Sequence, residues 1–113
     1  MKASSAKAKG RALQDWTRDT LKSLFKFTDD DLKCAVMGET GEDVRLISKR
    51  SRKRFPYSIE CKNRETFKTL YAQYEQAKSH SDREGLLIIK MNRKKPLAIL
   101  DAGHFLERAS EWK

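Results

Sequence analysis

The sequence predicts an α/β domain, a mixed β-sheet flanked by helices in the order α-β-β-β-α-β-β-α, and three observations predict it. Apolar residues recur at helical spacing in three separate stretches, around Leu13 to Phe27, Phe67 to Ala77 and Phe105 to Trp112. Between them lie short apolar runs bounded by glycine, asparagine or proline, the pattern of strands. The helical stretch between the third and fourth strands suits a crossover, whereas the first three strands suit an antiparallel meander. A chain of 113 residues can bury about two thirds of its unfolded surface around one core.

Taken in order, residues 1–9 are Lys, Ala and Ser without apolar periodicity and are expected as a flexible basic tail, leaving residues 10–113 as a single domain. Leu13, Trp16, Leu21, Leu24 and Phe27 form the apolar stripe of a first helix, with Arg18, Asp19, Lys22 and Lys26 opposite. Thr28 before three aspartates reads as a cap and one short helical turn. Lys33 to Met37 is a first strand, Gly38 to Asp43 a turn, and Val44 to Ser48 a second strand paired as a hairpin. Lys49 to Arg54 holds five cations in six residues and reads as a hairpin tip or a basic strand extension. Phe55 to Asn63 is the third strand. After Asn63 a second helix runs to about Lys78, Leu86 to Met91 is a continuous apolar run suited to a central buried strand, Leu97 to Leu100 is a further strand, and Asp101 caps a last helix carrying Phe105, Leu106, Ala109 and Trp112.

Composition narrows the partner. The net charge of +9 and a pI near 9.7 call for a polyanion, nucleic acid or an anionic membrane surface. No apolar run approaches a membrane span, and no basic amphipathic stretch offers exposed Trp, Phe or Leu as an anchor, so nucleic acid is the expectation. The basic N-terminus has no apolar segment behind it, and a cytoplasmic location follows. Cys34 and Cys61 make neither a CxxC nor a disulfide framework and are expected as buried free thiols.

Chemistry gathers on the third strand. Side chains alternate along a strand, so Ser58, Glu60 and Lys62 share one face and Tyr57, Ile59 and Cys61 the other. A hairpin would bring Asp43, at the entry of the second strand, alongside Glu60 and Lys62. Two carboxylates and a backbone carbonyl are hard ligands suited to Mg²⁺, which completes its shell with water and phosphate oxygens. A lysine beside them can orient or deprotonate an attacking water and neutralise charge growing on the phosphate. On the residues alone, a solvated strand-face ion pair accounts for Glu60 and Lys62 equally well.

Asp43, then Glu60-Cys61-Lys62 after a strand-sized gap, behind a helix opening Lys9-Gly10 and before a helix carrying Gln73 and Gln76, resembles the PD-(D/E)XK nuclease superfamily. Within it the likeness is to the small archaeal and phage Holliday-junction resolvases, over roughly Lys9 to Leu100. The resemblance implies a restriction-endonuclease-like core and a structure-selective, metal-dependent DNA endonuclease leaving a 5′-phosphate and a 3′-hydroxyl. It implies that Asp43, Glu60 and the carbonyl of Cys61 bind Mg²⁺ or Mn²⁺, that Lys62 acts on the water, and that Gln76, or Gln73 one turn earlier, supports the site or the DNA backbone. Where the resolvases tend to have a metal-associated glutamate this chain has Gln14, so the resemblance implies either a metal held by fewer anions or Asp15 or Glu39 as the substitute. A one-site domain making paired cuts implies a two-fold homodimer, and a phage protein would act in its bacterial host's cytoplasm.

The remaining candidates are phosphate contacts, which give affinity without reading sequence. They are Lys9 and Arg11 at the helix start, Lys49, Arg50, Arg52, Lys53 and Arg54 in the basic run, Gln73, and Lys94 in the turn after the fourth strand. His80 and His104 have no partner at ligand spacing and read as surface residues, and Trp16 and Trp112 as core or dimer-contact aromatics. A nicking or repair nuclease acting on flaps, mismatches or single strands, and a non-catalytic basic DNA-binding module, are the competing functions.

Overall fold

Alanine and lysine are strong helix formers, and the first helix, α1 (Ala3–Phe25), absorbs most of the run expected as a tail. The protein is described here by a computed structural model covering residues 3–36, 39, 41–64 and 66–112. Met1 and Lys2 of the expected tail, Met37, Gly38 and Thr40 of the expected first strand and turn, and Glu65 of the expected second helix lie outside the described residues. Those described form four helices and two small antiparallel sheets, a mixed α/β chain. It divides into two compact units, Met1–Arg64 with Trp112–Lys113, and Glu65–Glu111.

The first unit is built on α1. Leu21 and Phe25 are buried on its inner face, with Leu13, Thr17 and Leu24 half-buried along it. Trp16, expected in this stripe, is 45% exposed, because Thr17, midway between Leu13 and Leu21 at i+4 steps, holds the inward position instead. The helix stops where Lys26 takes a left-handed φ of 61°, which turns Phe27 back into the core. α1 packs on β1 (Leu32–Cys34) and β2 (Val44–Leu46), antiparallel with Cys34 opposite Val44 and Leu32 opposite Leu46. Gly41, at φ +102°, supplies a backbone conformation in the connecting turn that other residues reach only under strain.

The basic run is neither a hairpin tip nor a strand extension. It is a helix, α2 (Lys49–Arg54), started by the Ser48 hydroxyl, which accepts the N–H of Ser51 at 3.0 Å. Lysine and arginine have high helix propensity, and a competent cap lets that propensity prevail over strand pairing. After α2 the chain runs extended but not as a regular third strand: Pro56 has no N–H for a ladder, and its one bridge to a strand joins Val44 and Ile59. The observed order is therefore α-β-β-α-α-β-β-α.

In the second unit, α3 (Lys68–Lys78) starts several residues later than expected, behind Phe67, which gives no side-chain cap. β3 (Leu87–Ile89) and β4 (Leu97–Ile99) pair antiparallel, Ile88 opposite Ala98. Gly85 lies so close to α3 that a Cβ there would fall 2.7 Å from Lys78 Cγ. α4 (Ala102–Glu111) begins as expected, with Asp101 Oδ2 accepting the His104 N–H at 2.8 Å, and buries Leu106 and Ala109. The single mixed sheet of the sequence reading is thus replaced by two separate two-stranded antiparallel sheets, without the expected parallel crossover partner among the described pairings.

Candidate functional site

Asp43 occupies a bend one residue before β2 and ties three segments together. Its backbone N–H donates to the Ile59 carbonyl and its carbonyl accepts from the Ala35 N–H, both at 2.9 Å. Its carboxylate Oδ2 accepts the backbone N–H of Cys61 at 2.7 Å, the residue standing between Glu60 and Lys62. Asp43 and the Glu60-Cys61-Lys62 stretch are brought together, then, although the hairpin expected to do it is reduced to one bridge and this hydrogen bond.

Glu60 and Lys62 stand out in solvent, their side chains 61% and 66% exposed, with Nζ 3.5 Å from Oε1. An ion pair this exposed is screened and its geometry is easily exchanged for another partner. Cys61 points the other way, toward α1, its sulfur 3.7 Å from Thr17 Oγ1. Burial pushes the Cys61 thiol above its ordinary pKa; the contact with Thr17 works against this, and the charges of Asp43 and Glu60 add to the rise. Cys34 is raised likewise by burial, and both cysteines are free and half-buried rather than fully buried.

A hard cation here would have to be held by the carboxylates of Asp43 and Glu60, since Mg²⁺ characteristically takes one or two carboxylates and leaves its other positions to water and phosphate. Among the described residues no group of three or more His, Cys, Asp or Glu side chains converges. Gln14 is half-buried on the face of α1 that carries Thr17 one turn on. Its two candidate substitutes are engaged elsewhere: Asp15 with Arg18 at 3.4 Å and with the Cys34 sulfur, Glu39 with Arg45 at 2.6 Å and with the Val36 N–H. Gln73 and Gln76 belong to the second unit, where they line a groove of about 730 Å³ with Ala77, His80 and Leu86 to Lys90. Lys94 is exposed in the turn between β3 and β4.

The arginines of the basic run also make contacts within the chain. Arg50 pairs with Asp31 at 2.7 Å, donates to the Lys26 carbonyl and lies 5.2 Å over the Phe27 ring. Arg52 donates to the Leu46 and Ile47 carbonyls. Arg54 donates to the Trp112 carbonyl and lies 5.0 Å over Phe25. Lys49 and Lys53, four residues apart on one side of α2, are exposed, as are Lys9 and Arg11 on α1. Trp16 and Trp112, 45% and 51% exposed, are not core residues.

Residue spacing gave no sign of a cavity of about 250 Å³ between β2 and the extended segment, lined by Glu42, Val44, Leu46, Arg52 and Phe55 to Ser58. It lies where the two segments, bridged at Val44 and Ile59, form no ladder among the described residues. No membrane-crossing helix, long and apolar enough, occurs among the described residues. Compared with protein-family models, with curated proteins and with solved structures, the chain matches none.

Proposed function

We propose that this chain is a divalent-metal-dependent DNA endonuclease that hydrolyses phosphodiester bonds at the edge formed by Asp43, Glu60 and Lys62. The observation that carries the reading is the 2.7 Å bond from the Cys61 N–H to Asp43 Oδ2, which fastens one carboxylate to the peptide flanked by another carboxylate and a lysine. Mg²⁺, when bound, would supply an activated water and Lewis-acid stabilisation of the phosphate. The chain's own part is to hold Asp43 and Glu60 at one edge and to keep Lys62 on a loose 3.5 Å tether to Glu60. Lys62 exchanges that partner for the water or the phosphate oxygens as negative charge grows there. Lys49 and Lys53, with the field of a +9 chain, bring the DNA backbone to this unit. The preferred substrate is branched DNA such as a four-way junction, and the acting form a two-fold homodimer.

One observation favours the second reading, a non-catalytic DNA-binding module: Glu60 and Lys62 already satisfy each other on the surface. Cleavage of a four-way junction, a flap, linear duplex and single strand, each with Mg²⁺, Mn²⁺ or EDTA, separates the two. The nuclease cuts only with metal and loses cutting, but not binding, in Lys62→Ala; intact DNA in every lane with either metal leaves the binding module. Equal cutting of junction and duplex removes the structural preference and keeps the nuclease.

A further inference from the structure

We infer that the free edge of β3 pairs antiparallel with the same strand of a second copy of this chain, joining two two-stranded sheets into one across a two-fold axis at Leu87. This gives the homodimer of the reading above its contact surface, and it rests on that reading only for the use of the dimer in cutting DNA.

β4 covers one edge of β3. The groove of about 730 Å³ runs along the other: the consecutive residues Leu86 to Lys90 all line it, and no residue of β4 does. A groove over one face of the sheet would take alternate residues from both strands. This one therefore opens on the side of the strand, where backbone N–H and C=O groups project. Among the described residues, no backbone hydrogen bond joins Leu86 to Lys90 to anything but β4. The opposite wall belongs to α3, where Gln73 and Gln76 carry amides able to donate to, or accept from, an incoming backbone. A two-stranded sheet is marginal by itself, and an open apolar edge is a template for another strand. The outer edge of β4 is guarded against such pairing, since Arg93, Lys94, Lys95 and Pro96 lead directly into it. β3 has neither charge nor proline from Leu86 to Ile89.

The pattern of the strand itself fixes the occupant. From Glu84 to Lys90 exposure alternates: Glu84, Leu86, Ile88 and Lys90 are exposed, whereas Gly85, Leu87 and Ile89 are buried or half-buried, as an extended segment with one covered face requires. Leu86 and Ile88 are 55% and 58% exposed, large for apolar side chains. The exposed series is thus acid, apolar, apolar, base, and turned end for end it meets its own complement. Antiparallel pairing centred on Leu87 sets Leu86 against Ile88 of the second copy and Glu84 against its Lys90, and the two-fold repeats both pairs. Apolar pairs and opposite charges across neighbouring strands stabilise a sheet, and like charges directly opposite destabilise it. Parallel pairing in register would instead set Glu84 against Glu84 and Lys90 against Lys90. Within the chain the Glu84 carboxylate reaches His104 at 3.9 Å, a loose contact that it can exchange for a lysine. An unrelated peptide would have to bring the complementary order with it; a second β3 already has it. The interface is isologous, so association closes at the dimer.

The test is sedimentation velocity of the full chain, without DNA, across the micromolar range, where wild type is expected to dimerise. Glu84→Lys and Lys90→Glu, both exposed changes checked for folding by circular dichroism, each set like charges opposite one another at both ends of the pair. Each should raise the dissociation constant about tenfold or more. Mixed in equal amounts, the two variants should recover the dimer, because antiparallel pairing then puts opposite charges together at both ends. A wild type that stays monomeric, even one whose groove takes up an unrelated peptide, overturns the pairing. So does a dimer that both reversals leave intact, or a pair of variants that stay apart when mixed. The nuclease reading stands or falls separately: dimers that cut no DNA keep this surface, and a monomer that cuts removes it alone.

Discussion

The Cys61 N–H donates to Asp43 Oδ2 at 2.7 Å, so the same carboxylate that organises the end of β2 also faces the Glu60 to Lys62 edge. The two duties separate by substitution. Asp43→Asn keeps a side-chain oxygen for the Cys61 N–H and removes the charge; its melting temperature should stay near wild type while metal-dependent cleavage falls by about 100-fold or more. Asp43→Ala removes the acceptor as well and leaves a half-buried N–H unpaired, at a cost of about 1–3 kcal/mol in urea unfolding. Equal destabilisation by the two substitutions would show that the charge itself holds the fold.

Glu60 and Lys62 invite the opposite expectation. Exposed pairs of this kind contribute between about 0 and 1 kcal/mol, so Lys62→Ala and Glu60→Gln should leave the unfolding midpoint almost unmoved. Both should abolish cleavage, and Lys62→Arg should not restore it, since a planar guanidinium is a poor substitute for a compact amine acting on one water. A nuclease whose rate is unchanged in Lys62→Ala would move the chemistry off this edge.

The elements carried by long periodic runs were legible: α1 from Leu13 onward, α3 and α4 with its Asp101 cap; the strands at 87–89 and 97–99 were legible as strands but not as a pair, and the expected buried central strand has Leu86, Ile88 and Met91 exposed. What sequence periodicity could not supply was competition between local and non-local pairing. Lys49 to Arg54 has no apolar period to betray a helix, and the deciding features, the Ser48 cap and the buried Ser51 hydroxyl donating to the Asp31 carbonyl, are single polar contacts. Once α2 forms, Pro56 follows too soon for Phe55 to Ser58 to pair with β2, and the expected third strand shrinks to its Ile59 bridge. The Asp43 carboxylate still reaches the Cys61 N–H because that contact needs only residues 43 and 59–61 to meet. The cavity beside it, where the two segments form no ladder among the described residues, was invisible in residue spacing.

Asp31 links the start of β1 to α2 and should give the unit an acid-sensitive joint. Its carboxylate accepts the Ser48 hydroxyl at 2.6 Å, the Thr28 N–H at 2.8 Å and the Arg50 guanidinium at 2.7 Å. The Ser48 hydroxyl first, then the Thr28 N–H, then the Arg50 charge hold its pKa below the ordinary carboxylate value. A depressed carboxylate contributes stability that is present above its unfolded pKa and lost as pH falls through the folded one. Unfolding midpoints at neutral pH should therefore be lower for Asp31→Asn than for wild type, and the two curves should converge as pH drops below the carboxylate range. Ser48→Ala, which loses both this bond and the α2 cap, should cost about 1–2 kcal/mol at neutral pH.

The division of labour within the basic run yields a salt-dependence test. Arg50, Arg52 and Arg54 hold carbonyls, an aspartate and aromatic rings, whereas Lys49 and Lys53 project from one side of α2. Lys49→Ala and Lys53→Ala should each weaken DNA binding, and each lost phosphate contact should reduce the slope of log affinity against log salt by about 0.7 for single strands or 0.9 for duplex. Neither should change the unfolding midpoint by more than about 0.5 kcal/mol. Arg50→Ala should do the reverse, lowering stability by removing its contacts with Asp31, the Lys26 carbonyl and the Phe27 ring while its effect on the salt slope stays smaller than that of either lysine. A salt slope that falls equally for all three substitutions would mean that Arg50 leaves its intramolecular partners when DNA arrives, and would return the whole run to the interface.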